Sequence, residues 1–326
     1  MNSKKLVQIV DKFSSTKLIV LGDLMIDRFI FGSVSRISPE APVPIVNVHK
    51  KMSMPGGAGN VVNNLVALGG SVSVYGIVGK DQTGQELLKM FTKNNVDIKG
   101  TSVEPNRETI QKTRIIAQNQ HVVRVDEESY NVITSDQEDT IIKDLNIEIN
   151  KFDAIIVSDY GKGFLTYTLA QKIVKLGINY HKIVIVDTKP DHARWFNGCY
   201  LLTPNLKEAR EISGLDEIND IGREIQKICG CKNVLITQGA EGMTLFEGLN
   251  IDHFPTKARE VYDVSGAGDT VEASIGIALA AGASLKEAVE IANHAAGIVV
   301  GKIGTATVSS KELKQDLNSQ TKQNDK

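Results

Sequence analysis

Basic excess, a P-loop, a long apolar run and a cysteine framework are all missing from this chain. The formal net charge is -2. A binder of nucleic acid or of an anionic membrane usually carries surplus Lys and Arg, so composition gives that class no support. No GxxxxGK[ST] run occurs, which excludes a P-loop nucleotide site. No GxGxxG follows the first strand-like segment, which weighs against an NAD-binding unit. No apolar stretch approaches the roughly 20 residues that cross a membrane. Asp11 and Lys12 interrupt the N-terminal MNSKKLVQIVDKF before a signal-peptide core can form. The three cysteines, Cys199, Cys229 and Cys231, make neither a CxxC pair nor an even set. That disfavours disulfides and cysteine-bound metal, and a soluble protein in a reducing cytoplasm is the expectation. There is no internal repeat.

What is present suits a large core. Of the 326 residues, 41% are hydrophobic and 23% charged, ordinary values for a globular chain. Length allows two average domains, or one large α/β domain with an appendage. Short β-rich runs alternate with helical patterns. KLIVLGD (17–23), SVSVYGIVG (71–79), AIIVSDY (154–160), KIVIVDT (182–188) and NVLITQG (233–239) read as strands. GAGNVVNNLVALGG (57–70) reads as a helix stopped by Gly69-Gly70. Repeated β-α alternation predicts a mostly parallel sheet covered by helices on both faces. Ligands of such sheets bind beyond the strand C-terminal ends, where Asp23, Asp159, Asp187, Lys189 and Thr237 fall. Residues 28–50 and 110–126 break the rhythm with period-two alternation and are expected to form a small sheet that lids the site. The polar tail 309–326 is expected to fray.

Chemistry concentrates in three motifs. In YDVSGAGDTVEASIGIALAAG (262–282), Gly266-Ala267-Gly268-Asp269 opens an apolar helix. Glycines let the backbone approach a ligand, and the free N–H groups of the first turn face an anion. Asp269 stands where a carboxylate could take the proton of a hydroxyl attacking phosphorus. A bare GxGD also reads as an N-cap aspartate; the longer DVSGAGDT string favours the catalytic reading. In PGGAGNVVNN (55–64), Gly56-Gly57 opens a helix that carries Asn60, a donor and acceptor. In TPNLKEA (203–209), Asn205 and Glu208 share a face if Pro204 starts a helix. They could hold the water shell of Mg2+, or simply cap the helix.

The order of these motifs resembles the ribokinase-like (PfkB) carbohydrate kinases, from Leu18 to about Val308. VLGDLMIDRFIFGSVSRISPEAPVPIVNV, the PGGAGNVVNNLVALGG run, SDYGKG (158–163), VDTKP (186–190) and LLTPNLKE (201–208) narrow it towards the heptose 7-phosphate kinases of ADP-heptose synthesis. The resemblance implies a ribokinase-like three-layer α/β sandwich over residues 1–308 with a β-sheet lid, and a homodimer formed through that lid. It implies ATP and Mg2+ and phosphorylation of the anomeric hydroxyl of D-glycero-D-manno-heptose 7-phosphate. Many relatives carry a fused nucleotidyltransferase. This chain resembles the stand-alone kinase form, which leaves nucleotidyl transfer to another protein.

Particular residues follow. Asp269 is the expected base, with backbone N–H groups at 266–269 stabilising developing charge. Lys189 is placed on the transferred phosphoryl group, and Asn205 and Glu208 on Mg2+. The adenine site is expected at Thr237–Gly239 and Asn293–Gly297. Asp23, Gly56, Gly57 and Asn60 are placed on the sugar. Arg114, Arg124 and Lys162, with Arg36 a weaker choice, are placed on its phosphate. Each of these also reads as an ordinary turn or surface residue. His121 and His294 are expected to have no catalytic part. Two alternatives stand beside this reading: another sugar or nucleoside kinase of the superfamily, and a non-catalytic sugar or nucleotide sensor.

Overall fold

The computed structural model describes residues 3–118, 120–258, 260–302 and 304–324. Helix α1 (Ser3–Val10) leads into strand β1 (Lys17–Gly22). Strands β2 (Leu24–Ile37) and β3 (Pro44–Gly57) then leave the main sheet, and the chain returns through helix α2 (Ala58–Ala67). Next come β4 (Ser71–Gly79), α3 (Gln82–Lys93) and β5 (Asp97–Glu104), and a second excursion through β6 (Ile110–Ala117) and β7 (Gln120–Glu127). The order continues α4 (Ser135–Glu148), β8 (Ala154–Ser158), α5 (Tyr167–Asn179), β9 (Ile183–Asp187), β10 (Leu201–Leu202), α6 (Leu206–Ser213), α7 (Ile218–Cys229). It closes with β11 (Asn233–Thr237), β12 (Met243–Glu247), β13 (Asn250–Phe254), α8 (Ala267–Ala280), α9 (Leu285–Val299) and α10 (Ser310–Asn324).

The main sheet runs β13-β12-β11-β10-β9-β8-β1-β4-β5. It is parallel from β11 to β5, and the β12 and β13 edge is antiparallel. Strand alternation sorts the apolar residues into two cores. Leu18 and Val20 face the layer that holds α2, α8 and α9, whereas Ile19 and Leu21 face α4, α5 and α7. Helix α8 is buried on all sides because it lies inside its layer: Val271, Ala273, Ile275, Ile277 and Ala278 are buried, and so are the polar Thr270, Glu272 and Ser274. At roughly 1.5–3 kcal/mol for each large side chain removed from water, Val271, Ile275 and Ile277 alone anchor the helix firmly. The position of Asp269 at its N-terminus is therefore set by core packing.

The excursions form a separate four-stranded sheet, β3-β2-β6-β7. Strands β2 and β3 pair antiparallel, β2 and β6 parallel, and β6 and β7 antiparallel. Asp27, Phe29 and Phe31 lie on one face of β2, with Met54, Met52 and Lys50 opposite them on β3. Among the apolar residues this sheet leaves in water are Ile37, Val123 and Val125.

Two expectations need correction. The tail from Ser309 does not fray over the described residues but forms α10. Ser309 and Glu312 make reciprocal capping bonds, Leu313 and Leu317 enter the core, and Asp316 bonds His294 at 2.6 Å. Pro204 does not start α6; Asn205 caps it, and Pro204 lies outside.

Candidate active site

The strand ends and α8 meet around Asp269. Gly266, the N-cap of α8, has φ 77°, a left-handed conformation that glycine adopts without strain. A Cβ there would also sit 2.6 Å from Asn60 Nδ2. No side chain caps this helix; the Ala267 amide donates to the Val264 carbonyl at 3.2 Å, which leaves the amides of Gly268 and Asp269 in its first turn for a ligand. A Cβ on Gly268 would meet no atom within 4 Å. That open space belongs to a cavity of about 380 Å3 lined by Ala267, Gly268, Thr237, Gly239, Asn293 and Gly297, among others.

Asp269 is buried. Its Oδ2 accepts a hydrogen bond from Asn60 Nδ2 at 2.7 Å, and its Oδ1 accepts one from the Tyr160 hydroxyl at 2.7 Å. Each carboxylate oxygen has two acceptor positions, so room remains for a substrate hydroxyl. Burial pushes the Asp269 pKa up to about 6, against the lowering effect of those two bonds; Asp27 adds to the rise and Lys189 opposes it. Such a group is ionised at neutral pH yet basic enough to take a proton. Tyr160 is itself pushed well above the usual tyrosine range by burial and by Asp269, which keeps it a donor. Asn60 is held in turn: Asn64 Nδ2 donates to its backbone carbonyl at 2.9 Å, and Thr270 Oγ1 donates to Asn64 Oδ1 at 3.0 Å.

The acceptor side differs from expectation at one aspartate. Asp23 is buried and accepts backbone N–H groups of Tyr160 at 2.9 Å, Lys162 at 3.0 Å and Phe164 at 3.2 Å. Its carboxylate folds the turn that carries Tyr160 and does not open to a sugar. Asp27 has the position expected of Asp23. It lies on the cleft face of β2, pairs with Arg114 and is close enough to Asp269 to raise that group's pKa. A Cβ on Gly56 would lie 2.5 Å from Asp27 Oδ2, and Gly57 has φ 55°. The Gly-Gly pair thus lets β3 turn into α2 closely behind Asp27. Alternation along LMIDRF was a usable signal for Asp27, and the Tyr of SDYGKG for Tyr160.

Of the expected cations, Arg114, Arg124, Lys162 and Lys189 are engaged by carboxylates. Arg114 pairs with Asp27 and lies over the Phe29 ring at 5.2 Å. Arg124, exposed on β7, bonds Asp126 at 2.8 Å. Lys162 Nζ meets Glu128 at 2.8 Å and the Tyr130 hydroxyl at 3.0 Å. Lys189 reaches Glu208 at 3.1 Å. Arg36 lies exposed on β2 and His121 on β7. His294 is buried between Asp316 and Glu290, away from the cleft.

Asn205 and Glu208 form a capping box on α6: Asn205 Oδ1 accepts the Glu208 amide at 3.0 Å. Glu208 nevertheless faces an electronegative corner. Burial, Glu208 and Asp269 push Asp187 well above the ordinary carboxylate range, against the pull of Lys189. Hard oxygen donors with surplus negative charge suit a hydrated Mg2+. Among the described residues no group of three or more His, Cys, Asp and Glu could hold a metal unaided, and Mg2+ commonly keeps most of its waters.

A helix-covered parallel sheet, a small second sheet and a buried carboxylate at a glycine-opened helix define a kinase of the ribokinase-like class. The structure resembles Arabidopsis thaliana ribokinase complexed with ribose and ATP, with TM-score 0.73 and 18% identity over 93% of this chain and 98% of that one. It resembles phosphofructokinase-2 from Escherichia coli in complex with substrates and products, with TM-score 0.75 and 19% identity over 94% and 99%. Residues 15–312 match the pfkB family carbohydrate kinase, and the chain belongs to that family. It is an ATP-dependent sugar kinase. The "Bifunctional protein HldE" of Desulfatibacillum aliphaticivorans is 46% identical over 318 residues, 95% of this chain and 65% of that protein. The protein of the same name from Geobacter sulfurreducens is 44% identical over 308 residues, 93% of this chain and 63% of that protein. The chain spans less than two thirds of the length of these curated relatives. Among the described residues no helix is long and apolar enough to cross a membrane.

Proposed function

We propose that this kinase transfers the γ-phosphoryl group of ATP to the anomeric hydroxyl of D-glycero-D-manno-heptose 7-phosphate, in the supply of an ADP-heptose precursor. The reaction rests on one observation above all: a buried carboxylate, Asp269, at the N-terminus of a glycine-opened helix, next to Ala267 and Gly268, which line a cavity. The acceptor rests on the likeness to the HldE proteins and on the sequence motifs of the heptose kinases.

In this reading the nucleotide lies in the cavity between Gly239 and Gly297, with its phosphates on the amides of Gly266–Asp269. Asp269 takes the proton of the sugar hydroxyl as its oxygen attacks phosphorus in line. Asn60 and Tyr160 fix the orientation of that carboxylate. The helix amides stabilise the charge that develops on the phosphoryl oxygens, and Lys189 swings from Glu208 to the same group. Asn205 and Glu208 would hold Mg2+ through its waters, and the ion would neutralise phosphate charge. Asp27 and Arg114, beside the Gly56-Gly57 turn, hold the acceptor. Exposed Val123 and Val125 on the small sheet support pairing of two copies through that sheet. Nucleotidyl transfer needs a nucleotide-binding unit outside these 326 residues.

Mass spectrometry of products from ATP and heptose 7-phosphate tests the reading. A 1,7-bisphosphate, formed faster than any product from free ribose, fructose, heptose or a nucleoside, supports it. Preference for one of those unphosphorylated acceptors leaves a sugar kinase of the family with a different substrate.

A further inference from the structure

A second cavity, of about 300 Å3, lies between the cleft face of β2–β3 and Gly304; Phe29, Phe31, Lys50, Met52 and Met54 line the rest of it. It adjoins the catalytic turn. A Cβ on Gly304 would lie 3.8 Å from the Phe29 ring. The next residue, Thr305, bonds the Met54 sulfur. A Cβ on Gly266 would lie 3.1 Å from Thr305 Cγ2. The cavity therefore begins beside the start of α8 and runs outward along the small sheet.

Its lining changes character along that path. Asp27, opposite Met54 in the register, and Arg114, over the Phe29 ring, adjoin the inner end without lining it. Phe29 and Phe31 follow, ring centroids 6.3 Å apart and planes 14° apart, with Met54 and Met52 across from them. These surfaces suit the C–H faces of a sugar and offer no hydrogen bonds. Lys50, opposite Phe31 in the register, closes the outer end. Phe31 lies four residues beyond Asp27, about 13 Å at strand spacing. That is the scale of a seven-carbon sugar phosphate lying along the face, with the long lysine stem able to lean inward.

Lys50 lines this cavity, whereas Lys51 and Arg36 of the same sheet, for which, as for Lys50, no ion pair is recorded among the described residues, do not. Lys112, Arg114, Arg124, Lys162 and Lys189 each meet a carboxylate. Among the described residues no ion pair is recorded for Lys50; its ammonium lies 6.0 Å from the centre of the Phe31 ring, at the outer limit of a cation–π contact. A phosphate entering an apolar cavity loses its hydration and must recover that loss from a cation.

We propose that Lys50 is the counter-charge for the distal phosphate of the acceptor and that the cavity it borders selects phosphorylated sugars. This rests on the sugar-phosphate reading above and assigns its selectivity to one side chain. The test compares the parent with Lys50→Met, which keeps the stem and removes the charge, and with Lys50→Arg. Steady-state kinetics with heptose 7-phosphate, free heptose and ATP are the readout, with the thermal midpoint of each variant as a check on folding. K50M should raise KM for heptose 7-phosphate roughly ten- to hundredfold, leave KM for ATP at the parent value, and collapse the preference for phosphorylated over free heptose. K50R should recover most of that preference. A K50M enzyme with the parent's KM for heptose 7-phosphate overturns the assignment while leaving the sugar-phosphate reading intact. A parent enzyme that uses free heptose as well as its 7-phosphate overturns both.

Discussion

Replacing Tyr160 by Phe should move the acid limb of the pH–rate profile towards neutrality. The Tyr160 hydroxyl donates to Asp269 Oδ1 at 2.7 Å in a buried setting. The substitution keeps the ring beneath Lys189 and removes only that donor. A hydrogen bond to a charged group contributes about 1.5–3 kcal/mol, and each pKa unit corresponds to about 1.4 kcal/mol. Losing the bond destabilises the carboxylate, so the Asp269 pKa rises from about 6 by about one to two units. The base works only when ionised, so activity is present above that pKa and falls as pH drops through it. At pH 7 the ionised fraction goes from about 0.9 to between about 0.5 and 0.1, a two- to tenfold loss in kcat/KM that disappears near pH 9. Asp269→Asn gives the contrast: it should lose about 100- to 10,000-fold with no recovery at high pH. The assay is kcat/KM for the acceptor from pH 5 to 9.5 at saturating ATP. A Tyr160→Phe profile that overlays the parent's would refute the placing of Asp269 as the titrating base.

Two further outcomes follow from the nucleotide side and from the core. Gly268→Val projects a branched side chain into the larger cavity, where a Cβ meets no protein atom within 4 Å; turnover with ATP should collapse while the thermal midpoint stays within a few degrees of the parent. Unaltered KM for ATP would move the phosphate site elsewhere. Leu313→Ala removes a fully buried side chain of α10 and should cost about 2–5 kcal/mol in denaturant unfolding; a loss below about 0.5 kcal/mol would mean that this helix adds nothing to the core.

Much of the architecture was legible because strands of a covered parallel sheet are short apolar runs ending in small polar residues. KLIVLGD, AIIVSDY and KIVIVDT are such runs, and each is a strand of the main sheet to within a residue or two. Gly266 and Gly57 were legible because their positive φ demands glycine. The two aspartates of GDLMID were harder. Both follow β1 within five residues, and only the direction of the chain after Gly22 decides which one enters the cleft. Asp23 is turned inward to hold three amides of a loop more than 130 residues away, contacts no local pattern encodes. Arg114, Arg124 and Lys162 look alike in sequence, whereas their carboxylate partners are set by the register of the small sheet and by the 128–130 loop. The low hydrophobicity of the tail hides its helix, although Ser309, Glu312, Leu313 and Leu317 carry a helix signature.

The Asn60–Asp269 bond joins residues 209 positions apart. On a ribosome Asn60 emerges long before its partner exists, and the strands that flank it can pair while α8 is still being made. The Asp269 carboxylate is therefore among the later groups to be fixed in place, and a chain released before about residue 280 lacks a complete α8. In the proposed reaction, phosphotransfer therefore requires synthesis through α8, which carries Asp269.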